Sequence, residues 1–187
     1  MIGFGDEVWW SRIKHPSRHT WQADGTAVKD SAPVAPKNDP DPKACACYGL
    51  LLRPAAMPEQ MLLRMVEGRP VNDLTLAFLT WASTHLATLG KRVLLLIWDN
   101  ASWHVSAKVR AGIRAHNLAV KHAPPGVRIL RCQLPSKSPW LNPIEPKRLH
   151  AKRAVAAFDS LLCVQQLPDR IYAHFNLPTL PPLPSPS

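Results

Sequence analysis

Six consecutive apolar residues, Val93 to Trp98, end abruptly at Asp99-Asn100. An apolar run bounded in this way reads as a strand buried on both faces, and such strands belong in the middle of a sheet covered by helices. The chain is therefore read as α/β. Asp99 then stands at the C-terminal end of a central strand, where open α/β sheets hold their ligands.

The segments around it fit that frame. Phe4 to Ile13 carries the β-formers Val8, Trp9, Trp10 and Ile13, His19 to Ala23 makes a short second strand, and Ala44 to Leu52 a third. Asn72 is a candidate helix cap, with Leu74, Ala77, Phe78, Trp81, His85 and Leu89 along one face and Gly90 as the stop. Ser106 caps the next helix, turning Val109 and Ile113 inward and Lys108, Arg110 and Arg114 outward. Val127 to Leu134 is a further strand, and Asn142-Pro143-Ile144-Glu145-Pro146 opens a last helix running to about Phe158. The order is βββαβαβα, a mixed sheet flanked by helices. Residues 31–43, with four prolines, and residues 53–58 are breaks. Five prolines fall in the last eleven residues, too many for a packed core. The expected organisation is one domain over 1–160 and a proline-rich, disordered tail over 161–187.

Lys and Arg number 23 against 13 Asp and Glu, a net charge of +10. That surplus points to a polyanionic partner, most simply nucleic acid, although an anionic membrane surface would also attract it. The run Val93 to Trp98 is far short of the ~20 residues a bilayer helix needs, and the first residues lack the basic start and apolar stretch of a signal peptide. These features predict a cytoplasmic protein without a membrane partner. Cys45 and Cys47 are one residue apart, not the two of a zinc knuckle. They and Cys132 and Cys163 are read as reduced and structural.

Asp6 in the first strand and Glu145 in the first turn of the last helix converge with Asp99 if strands one and four are neighbours. Carboxylates that close repel one another. A hard divalent ion relieves the conflict, and oxygen ligands favour magnesium or manganese. A bland reading stands beside this one: Asp99-Asn100 as a turn, and Glu145 closing a capping box with Asn142 or, because Pro146 follows, acting as the cap itself.

Two stretches favour the catalytic reading. VLLLIWDNASWHV (93–105) and LPSKSPWLNPIEPKRLHAKR (134–153) resemble the second and third acidic motifs of DDE-superfamily transposases of bacterial insertion sequences, in the mariner-related branch. Gly5-Asp6-Glu7-Val8-Trp9-Trp10, followed by His19-Thr20-Trp21, is similar to the first motif, and the likeness extends to DPDPKACACYGLL. The resemblance implies a ribonuclease-H-like fold, three antiparallel strands and then parallel ones. It makes Asp6, Asp99 and Glu145 the catalytic ligands of two Mg2+ or Mn2+ ions, which activate a water or a DNA 3′-hydroxyl and stabilise the leaving oxygen. Glu145 lies 46 positions beyond Asp99, somewhat long for mariner relatives. Asn100 and His104 match motif positions and are assigned to support of the loop and substrate. Glu7 is expected on the opposite face from Asp6 and is not made a ligand. Lys137, Lys147, Arg148, Lys152 and Arg153 surround the third acid and are expected to neutralise DNA phosphates. Trp140 is expected to pack its loop onto the core rather than stack on a base.

The expected activity is metal-dependent cleavage of DNA at transposon ends and transfer of the freed strand to a target, by a homodimer. No segment corresponds to the upstream helix-turn-helix region of such transposases, and Arg148 replaces an aromatic common in relatives. The rival expectation is a truncated, inactive remnant that only binds nucleic acid through its basic surface.

Overall fold

A computed structural model describes residues 1–13, 19–29, 35–55, 58–69, 71–155 and 161–184. Five strands form the main sheet in the order β5-β4-β1-β6-β7: β1 (Ile2–Ser11), β4 (Ala44–Arg53), β5 (Gln60–Val66), β6 (Val93–Trp98) and β7 (Arg128–Gln133). β4 and β5 are antiparallel, whereas β1, β6 and β7 run parallel. This is the mixed sheet that the resemblance implies. Two of its members differ from expectation. His19–Trp21 (β2) pairs with Ala27–Lys29 (β3) in a separate two-stranded ribbon, and the sheet's third antiparallel strand is β5. The sequence of β5, QMLLRMV, has only one β-branched residue. Its strand character comes from seven-residue pairing with β4, a tertiary effect that outweighs local propensity.

The chain divides into two units, the first comprising Met1–Val8, Ala46–Lys147 and Leu180–Ser187, the second Trp9–Cys45 and Arg148–Thr179. In the first, α1 (Asn72–Thr88) and α2 (Ala107–His122) cover one face of the sheet. Leu74, Phe78, Leu86, Val109 and Ile113 share a core with Leu50, Leu94, Leu96 and Trp98. The inward stripe of α1 is rotated from the predicted one. Leu74 and Phe78 are buried as expected, while Ala77 and Leu89 face solvent and Leu79 and Ala82 replace them. Gly90 takes φ +68° and closes the helix through Lys91 N–H to Leu86 C=O, the left-handed stop that favours glycine. Val71, not Asn72, occupies the N-cap. Ser106 caps α2 by accepting from Val109 N–H at 3.2 Å.

Both edges of the sheet are occupied. At β7, Asn117 of α2 donates to Ile129 C=O and accepts from Ile129 N–H, both at 2.8 Å, and His116 Nε2 lies 2.8 Å from Val127 O. At β5, Leu183 bridges to Val66 in parallel, its N–H donating to Met65 C=O at 2.7 Å and its C=O accepting from Glu67 N–H at 3.1 Å.

The stretch expected to be a disordered tail is thus partly built in. α4 (Gln166–His174) lies in it, with Leu167, Ile171 and Tyr172 buried, and Leu183 reaches the core of the first unit. Pro168 sits in the first turn of α4, where its missing N–H costs nothing. Prolines 181, 182 and 184 flank an edge position, where proline is tolerated. No helix among the described residues is long and apolar enough to cross a membrane, and all four cysteines are free thiols.

In the second unit, α3 (Ile144–Val155) contributes its later turns, including the buried Ala151 and Val155. Arg12 is buried there with its guanidinium spent on residues 39–42 and 162. It donates to Pro42 C=O and Asp41 C=O, both at 2.8 Å, to Leu162 C=O at 3.3 Å, and to the Asp39 carboxylate. The Asp39 carboxyl is held below its usual range, first by the Arg12 bond and then by Asp41 N–H. The four-proline segment read as a loop is therefore fastened at its end by a cation that directly follows β1.

Candidate active site

Strand alternation places the three predicted acids. Phe4 pairs with Ile97 in parallel register, so two residues further on Asp6 lies level with Asp99 on the neighbouring strand end. Gly3, three positions before Asp6, faces Leu50 and Leu94 on the side of α1 and α2, which puts Asp6 on the other face. Glu145 arrives on that face because α3 begins there. Ile144, fully buried, sits over Gly49, where an added Cβ would lie 3.1 Å from Ile144 Cδ1 and 3.8 Å from the Asp6 carbonyl. A side chain at this position would press on Ile144, so glycine eases the approach of the helix start to β4. Asn142 ties the same start to β1 by donating from Nδ2 to Gly5 C=O at 3.3 Å. Its side chain therefore reaches across to the sheet instead of forming the capping box.

Asp99 and Glu145 line one cleft of about 340 Å³, together with Asn100, Leu134, Lys137 and Asn142. Asp6 is not among the lining residues. Asp99 is 54% exposed, and its Oδ1 accepts from Ala101 N–H at 3.0 Å. The same oxygen lies 2.7 Å from His104 Nδ1, while His104 Nε2 is 2.7 Å from Glu7 Oε1. His104 is 1% exposed and stacks on Trp98 with ring centroids 4.3 Å apart. Burial opposes its charge, but the bonds to Asp99 and Glu7 outweigh that and push its pKa up to about 9. The charged ring donates from both nitrogens, and its bond to Asp99 is the main reason that carboxyl is held below its ordinary value. Asn100 donates from Nδ2 to Leu134 C=O at 2.6 Å, fixing the opposite wall of the cleft.

Glu7 is the residue that sequence reasoning passed over. It does point away from Asp6, as expected, yet through His104 it braces Asp99 from the far face. No spacing signal could have revealed this, since Glu7 and His104 are 97 positions apart.

The expected basic cluster is divided. Lys137, in a left-handed conformation with φ 57°, lines the cleft itself. Lys147 is paired with Glu59 at 2.9 Å. Arg148 is largely buried, which pushes its pKa down to about 10, and a buried guanidinium is poorly placed for a DNA phosphate. Lys152 and Arg153 are exposed on α3 in the second unit. Trp140 reverses its expectation: it is 75% exposed, carried on a short 3-10 turn over Pro139–Leu141 between the cleft residues Pro139 and Asn142.

Asp6, Asp99 and Glu145 offer carboxylate oxygens on one face, and two of them open into a single cleft, which suits magnesium or manganese in donor chemistry. Among the described residues, no three of His, Cys, Asp and Glu form a ready ligand shell.

The profile of the family described as DDE superfamily endonuclease matches residues 2–168. Among solved structures, the chain is similar to the Mos1 transposase paired-end complex with left transposon end, with a TM-score of 0.55 at 13% identity, over 94% of this chain and 54% of that one. It is also similar to the Mos1 strand transfer complex, with a TM-score of 0.51 at 14% identity, over 92% and 47%. The chain thus spans about half the length of these structures, and at such identities the likeness carries the fold, which is ribonuclease-H-like. No curated protein matches the sequence.

Proposed function

The chain belongs to the DDE superfamily of endonucleases, and from that premise we propose that it cuts DNA phosphodiesters at transposon ends and joins the freed 3′-hydroxyl to a target strand. The observation that carries this reading is the meeting of Asp99 and Glu145 in one cleft with Lys137, with Asp6 level with Asp99 one strand away. Asp6, Asp99 and Glu145 would hold two magnesium or manganese ions. Bound there, the ions supply Lewis acidity to the phosphate and lower the pKa of the attacking water or hydroxyl.

The protein's own residues do the rest. His104, fixed between Glu7 and Trp98, holds Asp99 by Oδ1. Asn100 and Asn142 keep the two sides of the cleft in place from Leu134 and Gly5. Lys137 brings positive charge to the phosphate, and Trp140 offers an exposed ring on which a base freed from its pair can stack. The paired-end assembly of the similar Mos1 transposase supports a homodimer here. The free thiols suit a reducing, cytoplasmic setting.

One observation favours a second reading, a protein that binds nucleic acid through its basic surface without cutting it: the acids are not drawn into a ready shell. Mn2+ calorimetry and plasmid nicking separate the two. The proposal expects Mn2+ to bind the parent, with nicking that needs the ion, and expects both to be lost in Asp99→Ala. An Asp99→Ala protein that nicks as fast as the parent overturns the assignment. Failure of Mn2+ to bind either protein makes the non-cutting reading the better one.

A further inference from the structure

A second basic feature lies outside the cleft. α2 and the edge strand β7 enclose a groove of about 600 Å³ that shares no lining residue with the cleft. Five cations line it: Arg110, Arg114 and Lys121 from α2, and Arg128 and Arg131 from β7. All five are exposed, and no carboxylate is among the described lining residues. The sequence carries the same signal on a larger scale, for no Asp or Glu occurs anywhere between Asp99 and Glu145.

The arrangement on α2 is directional. Positions 110, 114 and 121 fall within about 40° of one another around a helix of 3.6 residues per turn, so they form one stripe about 16 Å long. A duplex presents a phosphate charge every ~1.7 Å of its axis, so a track of this length meets several phosphates at once, where a single small anion would engage only one end. The exposed Leu118 and Leu130, also in the groove, add apolar surface for deoxyribose.

A peptide adding itself to the β7 edge is the other occupant such a groove suggests. It is disfavoured, because Asn117 and His116 already take the outward peptide groups at Ile129 and Val127. β7 also gives the groove a direction. From Arg131, on the groove, the chain needs only three residues, ~10 Å of strand, to reach Leu134 in the cleft wall.

We propose that the α2–β7 groove is a second, non-catalytic binding track for the backbone of duplex DNA, which leads the duplex to the cleft. The inference rests on the reading of DNA as the partner but not on cleavage.

The test measures anisotropy of a labelled 20-base-pair duplex of arbitrary sequence against salt, using the full chain. Three lost phosphate contacts lower the slope of log K against log salt by about 2.7, and this is expected for the triple variant Arg114→Gln, Lys121→Gln, Arg131→Gln. The charge-keeping triple Arg114→Lys, Lys121→Arg, Arg131→Lys should retain the parent slope, which separates charge from misfolding. A control triple at exposed cations elsewhere, Lys37→Gln, Arg69→Gln and Arg92→Gln, should leave the slope nearly unchanged. An equal fall in the control, or no fall in the groove variant, overturns the track. So does polyglutamate that binds the parent more tightly than a duplex of equal charge and loses that preference in the groove variant. If the parent shows no Mn2+-dependent nicking while the groove slope still falls, the cleavage reading fails and the track stands.

Discussion

At the scale of single residues, the site depends on a brace that reaches it from behind. Asp99 is half exposed, and the buried His104 that bonds its Oδ1 is itself bonded to Glu7 on its other nitrogen. Outer partners of this kind typically alter metal affinity by about 10- to 100-fold when removed. Glu7→Gln, which preserves size and removes charge, is expected to weaken Mn2+ binding by that order, as read by calorimetry. Unchanged Mn2+ affinity would reduce Glu7 to a packing role. Sequence alone singled out Asp99, Asn100, His104 and Glu145 because DNAxxH and SPxLNPIE are local strings, and Asp6 through the string Gly5 to Trp10; the structure brings Asp99 and Glu145 into one cleft. It missed the function of Glu7 because a contact across 97 positions has no local string, and it misjudged Trp140 because apolar character favours burial without deciding it.

Elements tell a similar story. β6, the Ser106 cap, the Gly90 stop and the inward pair Val109 and Ile113 were legible, since each follows from a short-range rule. β5 and α4 were not. β5 lacks the composition of a strand and acquires its state from β4, and α4 hides in a proline-rich stretch whose one helical proline falls in the permissive first turn. The joint between α2 and β7 is equally non-local in effect, made by the Asn117 amide at Ile129 and the His116 ring at Val127. Asn117→Ala leaves the N–H and C=O of Ile129 without their partner and should cost about 1–3 kcal/mol of stability in urea unfolding. A variant as stable as the parent would mean that water replaces the amide fully.

Over the whole molecule, a buried cation in the second unit makes stability sensitive to acid. The Asp39 carboxyl, bonded to Arg12, titrates below its ordinary 3.8. Because the folded value is the lower one, its contribution is present above about pH 3.8 and is lost as the pH falls through the depressed value. Arg12→Gln should therefore lower Tm at neutral pH and flatten its decline as the pH falls below the ordinary Asp39 value of 3.8. A parallel decline in both proteins would detach Asp39 from the effect. The sheet of the first unit shows a second property of the whole: α2 seals the start of the β7 edge, and residues around Leu183 pair with the β5 edge. A bare strand edge is a template on which other copies can add, the first step of aggregation and fibre growth. In this chain the proline-rich end lies along one such template, and its prolines cannot donate the bonds that would extend the sheet further.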